Sequence, residues 1–179
     1  MADHKWFVVN IFAITVPIYA QGLVRLGKPY EEIADRLRRD QRRVHVISLC
    51  DTLDYAYKGG RLSLAAKVTG NVLKIKPIIT TDEKGKVKVI GKARGEKNAY
   101  RLFTSLVEET GGIDFRLPVC MAYSGLTDAN MRIYMDQESA LFGEQLSRVH
   151  LSQIGATVGT YSGPGAFAIG FFHQIPAKN

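Results

Sequence analysis

Cysteine is scarce in this chain: Cys50 and Cys120 are the two in 179 residues. Both sit in apolar, strand-like segments, where a free thiol behaves as a small hydrophobe, and a chain of this size does not depend on a disulfide scaffold. The four histidines are scattered, and none pairs with a cysteine or a second histidine at ligand spacing, so no metal site is expected. The nucleophile elbow GxSxG, the Walker loop, HExxH and a Rossmann glycine triplet after a strand are all missing. The glycines of "GPGAFAIG" carry Pro164 and the wrong spacing for a dinucleotide fingerprint. No catalytic residue is assigned, and an enzyme is not expected. Internal repeats and low-complexity linkers are absent as well. The most apolar stretch near the start, "WFVVNIFAITVPIYA" at 6–20, follows Lys5 and loosely resembles a secretory signal. It is too short to span a bilayer, and Asn10 and Pro17 interrupt it. Its β-branched and aromatic content predicts a buried strand, "WFVVNIF", turning into a helix, in a cytoplasmic protein without stable membrane insertion.

What is present suffices for one packed core, or for one domain and a fragment of another: 46% of residues are hydrophobic, 23% charged and 9% aromatic. The formal net charge is +7. A basic balance permits nucleic acid, an anionic surface or an acidic small molecule as partner and does not choose among them. The densest basic run is "RLRRDQRR", Arg36 to Arg43. On the outer face of a helix it reads as a solvated surface. A basic interaction module, binding nucleic acid or an acidic partner through Arg36, Arg38, Arg39, Arg42 and Arg43, is the alternative function.

Along the chain, Pro17 to Leu26 has a helical pattern ended by Gly27, and Pro29 opens a second helix. In that helix Ile33 and Leu37 face inward, with acids early and arginines late to suit the helix dipole. "VHVISLC" is a strand. "DTLDYAYKGGRLSLAA", 51–66, reads as a short helix capped by Asp51, a stop at Gly59-Gly60, and a small-residue helix reaching about Lys74. "IKPIITTDEKGKVKVIGKARG" predicts a hairpin, with Pro77 at an edge or a strand start. "EKNAYRLFTSLVEE" is an amphipathic helix with Ala99, Leu102, Phe103, Leu106 and Val107 inward. A strand in "FRLPVCMAYSG", one helix over "TDANMRIYMDQESALFGEQL" capped by Thr127 or Asp128, a strand-like "RVHLSQIG" and a Gly-Pro-Gly turn feeding a last strand complete the order. The pattern predicts an α/β (α+β) fold: a mixed, partly antiparallel sheet covered by helices.

Three segments stand out together: "KGGRLS", "KIKPIITTDEKGKVKVIGKARG" and "GTYSGPGA". Their sequence and order, with "GKPYEEIADRL" before them, resemble the C-terminal half of the DegV family of fatty-acid-binding proteins, from about Lys28 to the last strand. The resemblance implies a two-domain α/β carrier that holds one long-chain fatty acid, with no other cofactor, in a tunnel between the domains. It also implies a fatty-acid kinase as partner to which the carboxylate is presented. By that resemblance, residues 44–179 form the C-terminal α/β domain, and residues 1–43 form a strand and helices that remain from the N-terminal domain or connect to it.

The resemblance further implies cationic roles for Arg61 and Arg94 near the head-group mouth and the kinase-facing surface. The turn residues Tyr161, Ser162 and Gly163 become lipid or partner contacts. Tyr161 stands where the family usually carries a histidine. Taken as residues alone, the arginines read equally as surface ion pairs or helix C-terminal charges, and Tyr161 as a core aromatic. The family's N-terminal Ser and Thr residues that bond the carboxylate have no counterpart in residues 1–26. A missing domain would leave an open apolar face, expected at Val68, Leu73, Ile75, Ile78, Phe167 and Ile169, through which copies of the chain self-associate.

Overall fold

A computed structural model describes residues 9–62, 74–82 and 85–175. Two helices, α1 (Val9–Arg25) and α2 (Tyr30–Asp40), precede strand β1 (Val44–Leu49). A five-residue helix α3 (Asp54–Lys58) leads to the hairpin of β2 (Ile75–Thr81) and β3 (Val87–Arg94). Helix α4 (Glu96–Glu109), strand β4 (Cys120–Tyr123), helices α5 (Ala129–Gln137) and α6 (Ser139–Phe142), strand β5 (His150–Gln153), helix α7 (Ala156–Ser162) and strand β6 (Phe167–Phe172) follow.

The strands form one six-stranded sheet in the order β3-β2-β1-β6-β4-β5. All pairs are antiparallel except β4 with β5, so the expected mixed sheet is observed. The last strand in sequence is central, and all six of its residues are buried. Alternation along the strands divides the core between two faces. Phe167, Ile169 and Phe171 of β6 join Ile47, Leu49, Ile78 and Met121 on the face covered by Ala99, Phe103 and Val107 of α4 and by Met131, Tyr134 and Met135 of α5. On the other face the sheet presents smaller residues, among them Val46, Ala122 and Ala168. There α1 packs across β6, β4 and β1.

Several expectations need correction. The described part of "WFVVNIF", from Val9 on, is helix and not strand. Thr15, Tyr19 and Leu23 of α1 are buried at a spacing of four, and Tyr19 and Leu23 pack on Phe172 beside Ile33 and Leu37 of α2. Pro17 lies inside the helix, on its exposed side. Pro77 sits in an interior strand, not at an edge. The β1–β2 ladder ends with the Cys50 N–H donating to the Pro77 carbonyl at 3.0 Å. The donor that proline lacks would face the Cys50 carbonyl, one residue beyond β1, so no bond within the strand itself is lost.

Asp51 does not cap α3. Thr52 Oγ1 accepts from the Asp54 N–H at 3.1 Å instead. The single helix expected from residue 127 onward breaks at Glu138 and finishes as a 3₁₀ turn, Gly143–Arg148. The open apolar face is closed at Ile78, Phe167 and Ile169, each at most 1% exposed within the α4–α5 core. Val68, Leu73 and the small-residue helix expected from Ser63 lie outside the described residues.

Candidate functional site

The registers align the end of β1 (Leu49), the end of β4 (Tyr123) and the start of β6 (Phe167) at one edge of the sheet. The start of β2 and the end of β3 lie at the same edge, through Leu49 beside Ile78 and Ile75 beside Arg94. Four of the expected site residues, Arg61, Tyr161, Ser162 and Gly163, stand on segments that leave or enter the sheet there, and Arg94 ends β3.

Arg61 and Tyr161 touch. The Arg61 guanidinium lies 4.0 Å from the centre of the Tyr161 ring. Its Nη1 donates to the Gly59 carbonyl at 2.6 Å. Gly59 caps α3, so one guanidinium serves both as a helix C-terminal charge and as a cation on an aromatic face. Arg61 Nε is buried and has no hydrogen-bond partner among the described residues. Tyr161 is half-buried and packs on the cluster of Cys50, Leu53, Ala56, Leu62, Ile79 and Ala166. It is therefore a core aromatic and the partner of Arg61 at once.

The turn is fixed from below. Ser162 is buried, and its hydroxyl bridges to Ser124 Oγ at 3.0 Å and the Val158 carbonyl at 3.2 Å. Gly163 caps α7 with φ +76°, a left-handed conformation that glycine alone adopts readily. The Gly165 N–H donates to the Ser124 carbonyl at 2.9 Å, and the Gly165 carbonyl accepts from Asn130 Nδ2 at 3.0 Å. A side chain on Gly165 would run into Asp51, whose other carboxylate oxygen accepts from Lys76 Nζ at 2.6 Å. Lys76 also reaches Glu96 at 3.8 Å.

Sequence reasoning missed Asp51, Lys76, Ser124 and Asn130 as supports of the turn. A lysine two residues into an otherwise apolar strand was the available signal. Burial, reinforced by the Asp51 charge, pushes the Cys50 thiol up to about 12, which keeps it the inert buried thiol expected from its surroundings. Arg94 is exposed, and its carbonyl accepts from Asn98 Nδ2 at 3.0 Å.

The basic run is largely neutralised in place. Arg36 pairs with Glu32 at 2.7 Å, Arg38 with Asp35 at 2.9 Å, and Arg39 with Asp40 at 3.3 Å. Arg43 pairs with Asp114 at 2.6 Å. Such a surface offers phosphates few uncommitted cations. Among the described residues, no helix is long and apolar enough to cross a membrane.

Residues 13–174 match the family described as "Uncharacterised protein, DegV family". A DegV domain-containing protein of Caldanaerobacter subterraneus is 37% identical over 150 residues, covering 83% of this chain and 51% of that protein. A structure described as a fatty acid binding DegV family protein from Streptococcus agalactiae superposes with a TM-score of 0.67 at 25% identity, covering 89% of this chain and 55% of that one. The Fatty Acid Kinase B3 protein of Streptococcus pneumoniae, loaded with linoleic acid, has the same fold, with a TM-score of 0.76 at 19% identity over 89% of this chain and 55% of that one. The chain spans about half the length of the relatives it matches.

Proposed function

The chain belongs to the DegV family, and from that footing we propose that it serves in a fatty-acid carrier: it binds one long-chain fatty acid and presents the head group to a fatty-acid kinase, with no chemistry of its own. The observation that carries this reading is the meeting of the Arg61 corner with the Tyr161–Gly165 turn at one sheet edge, in a family with a member described as fatty acid binding. A guanidinium suits a carboxylate or an acyl phosphate, because it is always charged and offers two parallel donors. One Arg61 donor, the Nε–H, has no partner among the described residues. Arg94, exposed at the end of the hairpin, is assigned to the kinase-facing surface. Tyr161, Ser162 and Gly163 are assigned to the head-group side, and residues 44–179 to the lipid-binding domain, with residues 1–43 as a remnant of the N-terminal domain or a connector to it.

The test is mass spectrometry of lipid extracted from the chain purified from bacteria, followed by oleate titration of the delipidated protein. Stoichiometric long-chain fatty acid, or saturable oleate binding, is expected. A chain that copurifies with no lipid and takes up no oleate overturns the reading. The basic-module alternative loses its motive from the ion pairs of Arg36, Arg38, Arg39 and Arg43.

A further inference from the structure

Two rings and two glycines join α3 to α7 reciprocally. Tyr161, near the end of α7, lies so close to Gly59, the cap of α3, that a Cβ built there would overlap its ring. Tyr55, in the first turn of α3, lies as close to Gly163, the cap of α7. Gly59 has an ordinary helical φ of −77°, so its backbone makes no demand for glycine. The neighbouring ring makes that demand. Helices of five and seven residues are too short to hold themselves, so their order must come from tertiary contacts. Each supplies the other with an aromatic ring seated on a bare backbone.

Arg61 is held by the same device from two sides. The Tyr161 ring attracts its guanidinium through the ring quadrupole, and the guanidinium Nη1 donates a hydrogen bond to the Gly59 carbonyl. Without the ring, a long side chain would spread over many rotamers.

We propose that Tyr55 and Tyr161 are positioning residues: the double ring-on-glycine clasp locks α3 and α7 into one unit, fixes the Arg61 guanidinium relative to the Gly163-Pro164-Gly165 turn, and opens as a whole. That the fixed guanidinium meets a lipid head group rests on the function proposed above; the clasp itself does not.

Native-state hydrogen exchange of the 179-residue chain tests it. The Arg61 N–H donates to the Ala56 carbonyl at 2.8 Å and the Gly163 N–H to the Gly159 carbonyl at 2.9 Å, so each reports on one helix. A single opening unit gives the two amides the same opening constant, within about twofold, and the same response to low denaturant. Tyr55→Ala, at the Gly163 end, is expected to reduce protection at both amides together by about tenfold or more. Tyr161→Phe keeps a ring over Gly59 and leaves both protected, while Tyr161→Ala shifts the Arg61 Nε–H resonance out of the ring current.

Protection lost at Gly163 alone in Tyr55→Ala overturns the proposal. So do opening constants about tenfold apart in the unmodified chain, a comparison that stands even where the variant fails to fold. Oleate titration of the same samples judges the carrier reading separately. Concerted opening without oleate binding upholds the clasp and removes its head-group role.

Discussion

Arg43 and Asp114 meet at 2.6 Å with side chains 12% and 4% exposed. Arg43 also donates to the His173 carbonyl, at 2.7 Å from Nη2 and 3.2 Å from Nε, and lies 3.4 Å from Asp40. Asp40 in turn accepts from the Tyr19 hydroxyl at 2.8 Å, and Asp114 from Arg116 at 2.8 Å and 2.9 Å. One buried network thus ties α1, the entry to β1, the loop after α4 and the end of β6, at the opposite end of the sheet from the candidate site. Charges withdrawn from water are tolerable only while each keeps its partners.

Removing Asp114 takes from the buried Arg43 its closest carboxylate and leaves it Asp40, at 3.4 Å, and the His173 carbonyl. Asp114→Ala is expected to cost about 1.5–3 kcal/mol, read as the loss of unfolding free energy in urea. The paired replacement Arg43→Met with Asp114→Leu removes both charges and should recover at least half of that loss. A double variant as unstable as Asp114→Ala would show that packing, not the charge of Arg43, sets the cost.

The same network makes stability depend on pH. The Arg116 hydrogen bond, with help from Arg43, holds the Asp114 carboxyl down at about 2 against the opposing effect of burial. For Asp40, burial pushes upward but is outweighed by hydrogen bonds from Arg39, Tyr19 and Arg43 and by the Arg39 charge, and the carboxyl ends below its ordinary value. A carboxyl whose value is depressed on folding stabilises the fold above its unfolded value and loses that contribution as pH falls through the folded one. For Asp114 the window runs from about pH 4 down to about pH 2, and about 2 kcal/mol is at stake. Urea midpoints across this range should fall more steeply for the unmodified chain than for Asp114→Asn. Parallel curves would mean that Asp114 is not held ionised.

Gly91 marks a close approach of β3 to α4. A Cβ there would stand 3.0 Å from a methyl of Leu106 and 3.1 Å from one of Leu102, with Ile78 at 3.5 Å. Gly91→Ala is therefore expected to destabilise by about 1 kcal/mol through overpacking, although alanine suits an extended backbone better than glycine does. Gly91→Ala with Leu106→Val should relieve it. A stabilised single variant would show that the leucines yield freely.

The hairpin, α2, α4 and the mixed sheet were legible because their apolar residues recur at one clear period. The start of α1 was not: Val9, Ile11 and Phe12 favour strands locally, and the helix is declared only by Thr15, Tyr19 and Leu23 at a spacing of four. Packing on Phe172 overrides the local preference. Helix α7 was missed because "ATVGTYS" has no apolar stripe; its order comes from α3 and from the turn that follows. The corner with Arg61 and the turn with Tyr161 were each visible as unusual segments. Their contact was not, since only the pairing of β1 with β6 brings them to one edge. At Ile78, Phe167 and Ile169 the expected open face is covered, because alternation shows that these residues share a side and cannot say whether a helix packs on it.

The two arginines differ in what they owe the fold. Arg94 is exposed, so Arg94→Ala should change stability by less than about 0.5 kcal/mol. Arg61→Ala removes a cation from an aromatic face and should cost about 0.5–2 kcal/mol. Under the carrier reading, a kinase pull-down loses signal with Arg94→Ala while oleate affinity holds, and Arg61→Ala weakens both. Equal effects of the two variants on oleate affinity would remove the separate assignments.

Tyr161 stands where the family resemblance leads one to expect histidine, and Arg61 4.0 Å from its ring gives that difference a measurable consequence. Tyr161→His keeps a flat ring against Gly59, so the fold should survive. A protonated imidazole in that place would face a guanidinium, and like charges at such a distance disfavour ionisation. The introduced imidazole should therefore titrate below its ordinary value of about 6.5. A group depressed in this way stabilises the fold above its unfolded value and loses that contribution as pH falls through the folded one, so Tyr161→His should weaken progressively between about pH 7 and about pH 5. Tyr161→Phe, with no group to protonate, should follow the unmodified chain over the same range. Urea midpoints at a series of pH values decide it. If Tyr161→His and Tyr161→Phe run in parallel, the guanidinium does not rest on that ring in solution.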